Sequence, residues 1–348
     1  MFDVEKYIRC PYCANRLSFT YEVCVCLGCD KKFPVILGIP DLRVPIENAW
    51  IDFEEDRLLA MSLAEKYHSH SFEQLVTEVW SRRQNTPQEI IKRRIHAINK
   101  ATAKYEADLA DKGWIGSLLT NQSENSCIEL GCGTGGFLEA VIPRFDSVIG
   151  IDISLMWSIV AKKRLEEKGL DCAIACACIE HLPFKADQFD LAVAFDVIEH
   201  VTNPELVVEA IHRITRPGSK VACTTPNRYS LSAEPHVGVW GVGFLPRRWM
   251  EGYVQWRNGM AYKHTYPQSL LNLRRYFKQK TCQFNFSIKT PAIWENEVEE
   301  FSPKKRALAK LYNRIIEVGL FRSVLLPIAP FFQIVAEKNP TNLIEACA

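Results

Sequence analysis

The stretch CIELGCGTGGF, residues 127–137, packs four glycines into eleven positions. An apolar run, SCIEL, precedes it and a helical pattern follows, so Gly131, Gly133 and Gly136 fit G-x-G-x-x-G at a strand-to-helix turn. Glycine there lets the chain turn sharply and lets backbone come into contact with a ligand. Asp152, in VIGIDIS, ends the next apolar run 21 positions after Gly131, where a carboxylate can accept from ribose hydroxyls. A second group of reactive residues lies at the front. Cys10-Pro-Tyr-Cys13 and Cys26-Leu-Gly-Cys29 are two C-x-x-C knuckles with twelve residues between them, and four thiolates suit tetrahedral zinc. Cys24 is a substitute ligand in principle, set aside on the expectation that it faces away from Cys26.

Nucleotide cofactors and S-adenosylmethionine share the ribose, so glycines plus Asp152 do not choose between them. Glu129 in ELGCGTG, the segment CIEHLPFKADQFDLAVAFDVIEHV (178–201) and the later RPGSKVACTTPNRYS do. In this order the four motifs resemble the class I S-adenosylmethionine-dependent methyltransferases, in the small-molecule branch with the ubiquinone-biosynthesis O-methyltransferases. The resemblance covers residues 122–228 and the last strand, PFFQIVAEK. It implies that Glu129, Gly131, Cys132, Gly133 and Gly135 line the methionine end of the cofactor. Asp152 would take both ribose hydroxyls, Ile153 and Ile179 would flank adenine, and Phe195 and Asp196 would sit beside the sulfur. Cys178 stands where the family has an Asp that bonds the adenine amino group, and a thiol is the weaker acceptor. The front, with FPVILGIPDLR, resembles the small zinc-ribbon-like domain fused to or partnering many methyltransferases, except that Leu37 replaces the usual Asp before Gly38. Forty residues bury too little to fold unaided, which favours a structural metal. Loss of Cys13 is expected to unsettle this front and to leave the cofactor pocket nearly intact.

Methyl transfer from a sulfonium is mostly positioning, with a base needed only where the acceptor carries a proton. His200, in DVIEHV, is the candidate base, and Glu199 beside it reads as structural. Asn227 and Arg228, in TPNRYS, are candidates for substrate contact. Residues 229–266 are too long for a plain connection and read as a lid over the acceptor, with His236, Trp240 and His264 as contacts and Arg247-Arg248 as anion holders. The bland reading makes the lid tryptophans the core of a small subdomain. AFDVIEHV is neither the Asn-Pro-Pro-aromatic sequence of nucleobase amine methylation nor a Pro-Cys nucleophile.

Three textures position these groups: a zinc-ribbon-like domain over 1–45, a helical linker or cap over 46–122, and a methyltransferase domain over 123–348. In the last, the runs SCIELG, SVIGID, CAIACA, FDLAVAF, KVACTTP and FFQIVAEK alternate with helical patterns such as MWSIVAKKRLEEKG and NPELVVEAIHRITRPG. Such alternation predicts a Rossmann-like, doubly wound α/β fold with a mostly parallel sheet. Thr86-Pro87 with Glu89 predicts a helix start. The apolar stretch 318–335, broken by Arg322, Pro327 and Pro330, predicts buried strands near a turn rather than a membrane span.

With 24% charged residues and a net charge of +1, the 348-residue chain lacks the charge bias of a nucleic-acid-coating protein. Thirteen cysteines and a start, MFDVEKYIRC, without an apolar signal core suggest a reducing, cytoplasmic compartment. The favoured function is methylation of a small-molecule acceptor, most simply at oxygen on a sugar or a secondary or cell-surface metabolite. Two alternatives are an RNA methyltransferase that uses the zinc ribbon and the basic helix around Arg82, Arg83, Lys92, Arg93 and Arg94, and a non-catalytic methyltransferase-like partner.

Overall fold

A computed structural model describes residues 4–47, 49–82, 88–119 and 126–340. Thr86, Pro87, Arg83 and the boundary at 122 lie outside them. The chain forms two compact units. The first comprises Met1–Val193, Glu209–Lys220 and Pro340–Ala348, and the second comprises Ala194–Val208 and Val221–Asn339.

The first unit begins with α1 (Val4–Tyr7) and an antiparallel sheet in the order β1 (Leu17–Phe19), β2 (Val23–Cys26), β3 (Lys32–Ile36), β4 (Ile39–Pro40). The β3–β4 turn holds Leu37 at φ +52 and Gly38 at φ +76. A leucine in the left-handed region costs about 1–2 kcal/mol, a strain that an Asp there would relieve. The Lys162 ammonium donates to the Leu37 carbonyl at 2.7 Å and helps fix the turn. Along β2 burial alternates, with Cys24 and Cys26 both on the inner face. The expectation that they face apart is thus corrected, since side chains two apart in a strand share a face.

Helices α2 (Phe53–Lys66), α3 (Phe72–Arg82) and α4 (Gln88–Leu109) follow. Asp52 caps α2 by accepting from the Glu54 and Glu55 amides. In α3 the buried residues Phe72, Leu75, Val76 and Val79 fall at helical spacing and give one apolar face. Next come β5 (Ser126–Leu130), α5 (Gly136–Val141), β6 (Ser147–Asp152), α6 (Leu155–Glu167) and β7 (Ala173–Cys176). The three strands pair in parallel and are buried at every residue, as expected of runs covered on both faces. α2 and α3 pack on α6, and α4 packs on α5.

The strands β8 (Phe189–Phe195) and β9 (Thr215–Pro226), with α7 (Pro204–Ile214) between them, run through both units. β9 begins at Thr215 and takes in the Arg216-Pro217-Gly218 segment that the sequence assigns to a helix end. The second unit adds α8 (Arg247–Asn258), α9 (Leu270–Phe277), β10 (Phe284–Lys289), α10 (Glu295–Glu300), α11 (Pro303–Glu317), α12 (Gly319–Leu325) and β11 (Phe331–Lys338). β10 pairs antiparallel with β11. Hydrogen bonding orders the main sheet β10-β11-β9-β8-β5-β6-β7. The stretch 318–335 is only half strand, because its first part forms α12. Among the described residues no helix is long and apolar enough to cross a membrane.

One buried guanidinium fastens the front of the first unit to the main sheet. Arg43 donates Nε and one Nη2 hydrogen to Asp41 at 2.8 and 2.7 Å, and Nη2 also reaches the Phe53 carbonyl at 3.4 Å. Its Nη1 donates to Asp56 at 2.7 Å and to the Ile153 carbonyl at 3.1 Å. Asp56 in turn accepts from the Ser154 hydroxyl at 2.5 Å and the Leu155 amide at 2.8 Å, at the start of α6. The same tail is stitched to β7, where the Leu42 amide donates to the Cys176 carbonyl at 2.7 Å. Removing one member of a buried charged set leaves its partners uncompensated. Asp56→Ala is expected to lower unfolding stability by about 3 kcal/mol in urea titrations. An unchanged midpoint would show that the network is dispensable.

Candidate active site and cysteine centre

The glycine turn joins β5 to α5. Gly131, Gly133 and Gly135 have φ of +80, +48 and +77, and the Gly131 and Cys132 amides donate to the Ile151 carbonyl. A Cβ on Gly135 would come within 3.1 Å of the Ala161 Cβ, whereas one on Gly133 would meet nothing within 4 Å. Backbone at Gly133 therefore borders open space. Gly136, the third glycine of the motif, has ordinary room, its nearest contact being 3.5 Å away. The close approach of helix α6 falls on Gly135 instead.

Two carboxylates flank this turn. Asp152 accepts from the Gly133 amide at 2.7 Å on one oxygen and from the Ser154 amide at 2.8 Å on the other. Each oxygen keeps a lone pair for a further donor. Burial pushes its pKa up to about 6, against the pull of those two amides. Glu129 is buried, with Oε2 lacking any hydrogen-bond partner, and burial followed by the nearby Asp152 raises its pKa well above the usual range. Ile153 and Ile179 follow the ends of β6 and β7, and Ile179 is buried. The Cys178 thiol donates to the Val44 carbonyl at 3.4 Å, so this departure from the family pattern ties down the front tail.

The cysteine centre is one turn built twice. The Cys10 and Cys26 amides donate to the Asn15 and Lys31 carbonyls, while the Ala14 and Asp30 amides donate back to the Cys10 and Cys26 carbonyls. Ala14 and Asp30 both take positive φ, +58 and +56. The Tyr12 and Gly28 amides point at the Cys10 and Cys26 sulfurs from 3.4 and 3.3 Å. All four sulfurs of Cys10, Cys13, Cys26 and Cys29 lie within 4.8 Å of one another. The edges measured across the cluster are 3.7 Å (Cys10–Cys29) and 3.3 Å (Cys13–Cys26). Zinc–sulfur bonds of about 2.3 Å in a tetrahedron require edges of roughly 3.8 Å, so the donor set fits.

In the second unit, Phe195 ends β8 and Asp196 follows at φ +54, with the Thr224 hydroxyl donating to it at 2.9 Å. His200 lies on the next turn, its Nε2 3.1 Å from Nε2 of His236 and its Nδ1 3.4 Å from the His264 carbonyl. Burial and then His236 lower the His200 pKa to about 4, so the ring is neutral at pH 7. Thus His200, His236 and the His264 backbone are brought together. Asn227 and Arg228 are otherwise engaged. The Asn227 amide donates to the Pro327 and Ala329 carbonyls, and Arg228 to the Gly243 and Leu245 carbonyls. Arg247 likewise donates to the Thr265 and Lys263 carbonyls.

The core of residues 229–266 is aliphatic with one tyrosine: Val237, Val239, Val242, Met250, Val254 and Tyr262. Trp240, Trp249 and Trp256 are 60, 54 and 75% exposed, which corrects the reading of these tryptophans as a core. Trp240 donates its indole N–H to the Leu231 carbonyl and lines up with Phe244 and Tyr229. Sequence reasoning missed Arg43 and Asp56, whose roles depend on partners far along the chain, and Glu234, whose partner His236 is two residues away. The Glu-Pro-His spacing at 234–236 was the available signal for the last.

Residues 128–223 match the family described as Methyltransferase domain. This segment is a class I, S-adenosylmethionine-dependent methyltransferase domain. The chain is 30% identical over 135 residues to the ubiquinone biosynthesis O-methyltransferase of Coxiella burnetii, covering 38% of this chain and 53% of that one. It is 34% identical over 105 residues to the enzyme of the same description from Pseudomonas entomophila, covering 29% and 44%. The chain thus spans about half the length of the curated relatives it matches. A solved S-adenosylmethionine-dependent methyltransferase from Clostridium acetobutylicum aligns at TM-score 0.46 and 15% identity, over 71% of this chain and 98% of that one.

The two neighbouring glycines of the methyltransferase domain should respond differently to alanine. Gly135→Ala is expected to cost about 1–2 kcal/mol through its positive φ, plus the clash with Ala161. Gly136→Ala, at the first position of α5, should be neutral or gain up to about 1 kcal/mol. Equal effects in denaturant titrations would contradict the assignment of the close approach to Gly135.

Proposed function

We propose that the protein transfers the methyl group of S-adenosylmethionine to a hydroxyl of a small-molecule acceptor, a sugar or a secondary or cell-surface metabolite. One observation carries the cofactor reading: the open glycine turn has a carboxylate with unused acceptor capacity at each side. Asp152 would take the ribose hydroxyls, and the unpartnered Glu129 Oε2 would take the ammonium of the methionine moiety. Gly131, Cys132, Gly133 and Gly135 would supply close backbone, with Ile153 and Ile179 against adenine and Phe195 and Asp196 toward the sulfur. The cofactor's sulfonium supplies the activated methyl group. His200 is neutral at pH 7 and so able to accept a proton from an acceptor hydroxyl, although with a pKa of about 4 it is a weak base for that task. His236, Trp240 and His264 remain the candidates for acceptor contact, ahead of Asn227 and Arg228, whose donors serve backbone carbonyls.

No described feature favours the RNA reading. Arg82 is paired with Glu78 at 2.6 Å, Lys92 with Glu89 at 3.4 Å, and Arg94 lies over the Trp80 ring. The Arg83 and Arg93 side chains lie outside the described residues. The chain's place in a reducing, cytoplasmic compartment is proposed on its cysteines, none of the described ones being in a disulfide.

Asp152→Ala is expected to weaken S-adenosylhomocysteine binding about 100-fold in calorimetry, because two ribose hydroxyls lose their acceptor. The pH dependence has a defined sign. Ribose hydroxyls favour the ionised carboxylate, and the unliganded group titrates at about 6. Affinity should therefore fall as pH drops below about 6, approaching tenfold per pH unit. A flat affinity between pH 5 and 7.5, or binding of NAD in place of S-adenosylhomocysteine, would refute the cofactor reading.

Cys10, Cys13, Cys26 and Cys29 are proposed to hold one structural zinc ion. Because Leu42 and Val44 of the same front pair with Cys176 and Cys178, zinc loss should also weaken cofactor-product binding. This differs from the independence expected from the sequence. Elemental analysis and calorimetry before and after chelation, with Cys13→Ser in parallel, test it. Protein purified without chelator and lacking metal, or affinity unchanged after verified metal loss, would contradict it.

A further inference from the structure

The second unit contains a convergence of lone pairs that a role for His200 as a lone base does not explain. Glu199 is fully buried, and its Oε2 accepts from the Thr225 hydroxyl at 2.9 Å. Its Oε1 has no hydrogen-bond partner and stands 3.8 Å from Nε2 of His236. His236 places Nδ1 at 2.6 Å from Glu234 Oε1. A carboxylate accepts, so Nδ1 carries the proton and Nε2 presents a lone pair. His200 Nδ1 faces the His264 carbonyl, also an acceptor only, which leaves its Nε2 in the same state. The two Nε2 atoms are nevertheless 3.1 Å apart, nearly edge to face, beside the orphaned Glu199 oxygen. A proton on one imidazole would satisfy that nitrogen pair and leave the carboxylate oxygen unmet. A divalent cation satisfies all three.

We propose that Glu199, His200 and His236 bind a divalent transition-metal ion, with Thr225 and Glu234 orienting its ligands. All three ligand atoms lie within 4.8 Å of one another, as a shared ion requires. Glu234–His236 then has the carboxylate–histidine–metal arrangement that fixes ring orientation and tautomer. Two imidazoles and a carboxylate favour ions such as zinc, iron(II) or manganese, and three protein ligands leave positions open for an outside oxygen. The role of those positions rests on the methyltransferase reading. There the ion would take the acceptor's hydroxyl oxygen and favour its deprotonated form, and His200 would serve as ligand in place of base.

The test reads metal binding and needs no turnover, so it stands or fails apart from the cofactor assignment. Cobalt(II) is titrated into full-length protein whose cysteine centre is already zinc-loaded. The expected result is one further ion per chain, seen by calorimetry and by weak ligand-field absorption without thiolate charge transfer. His236→Ala and the size-conserving Glu199→Gln should weaken it by more than about 100-fold, and Glu234→Gln by about 10- to 100-fold. Cys13→Ser should retain it. Circular dichroism and thermal melting confirm that each variant is folded, and Glu199→Gln decides if His236→Ala is not. Absence of a further ion, thiolate bands at that ion, or unchanged affinity in the folded variants would overturn the proposal.

Discussion

The Arg43 guanidinium is the interaction on which the first unit depends. Its five N–H groups all find acceptors: two oxygens of Asp41, one of Asp56, and the carbonyls of Ile153 and Phe53. Burial opposes the charge, yet Asp41 and Asp56 hold the guanidinium's pKa above its ordinary value. A lysine could not reproduce this, having three donors at a point and no planar fork. The network joins the cysteine-rich front, α2 and the start of α6. It therefore positions the chain immediately after Asp152, although Arg43 stands more than a hundred residues earlier.

The candidate site is built against the tendencies of its own residues. Burial raises the pKa of both Glu129 and Asp152, and two amide donors offset only part of this at Asp152. Such uncompensated acceptors are costly unless a ligand completes them. Turn geometry is handled similarly: Gly131, Gly133 and Gly135 take positive φ without strain, whereas Asp196 takes it at φ +54 with a side chain that Thr224 holds. The site thus keeps its unmet hydrogen-bonding capacity on a few buried atoms and surrounds them with satisfied backbone.

Local signals were legible in the sequence, and distant pairings were not. The strands 126–130, 147–152 and 189–195 announced themselves as short apolar runs, and α6 and α7 by their helical spacing. The glycine turn, Asp152 and the four cysteines were readable because each motif is contiguous or has a known partner spacing. Gly319–Leu325 form a helix where the apolar run reads as strand, because such a run does not by itself distinguish helix from strand. Cys24 was misplaced by a slip in strand periodicity rather than by any unusual structure. The convergence of Glu199 and His236, 37 positions apart with a strand between, left no periodic trace. Nor did the pairing of Arg43 with Asp56 and Ile153.

Three of the boundaries between the two compact units fall inside regular elements, after Val193 in β8, after Val208 in α7 and after Lys220 in β9. Residues inside a strand or helix have their backbone groups committed to that element's hydrogen bonds. The second unit is therefore not one contiguous segment of chain, and excising it would cut two strands and a helix. Residues 229–266, by contrast, begin and end within one unit and contain no strand of the main sheet, so a change of length there breaks none of its ladders.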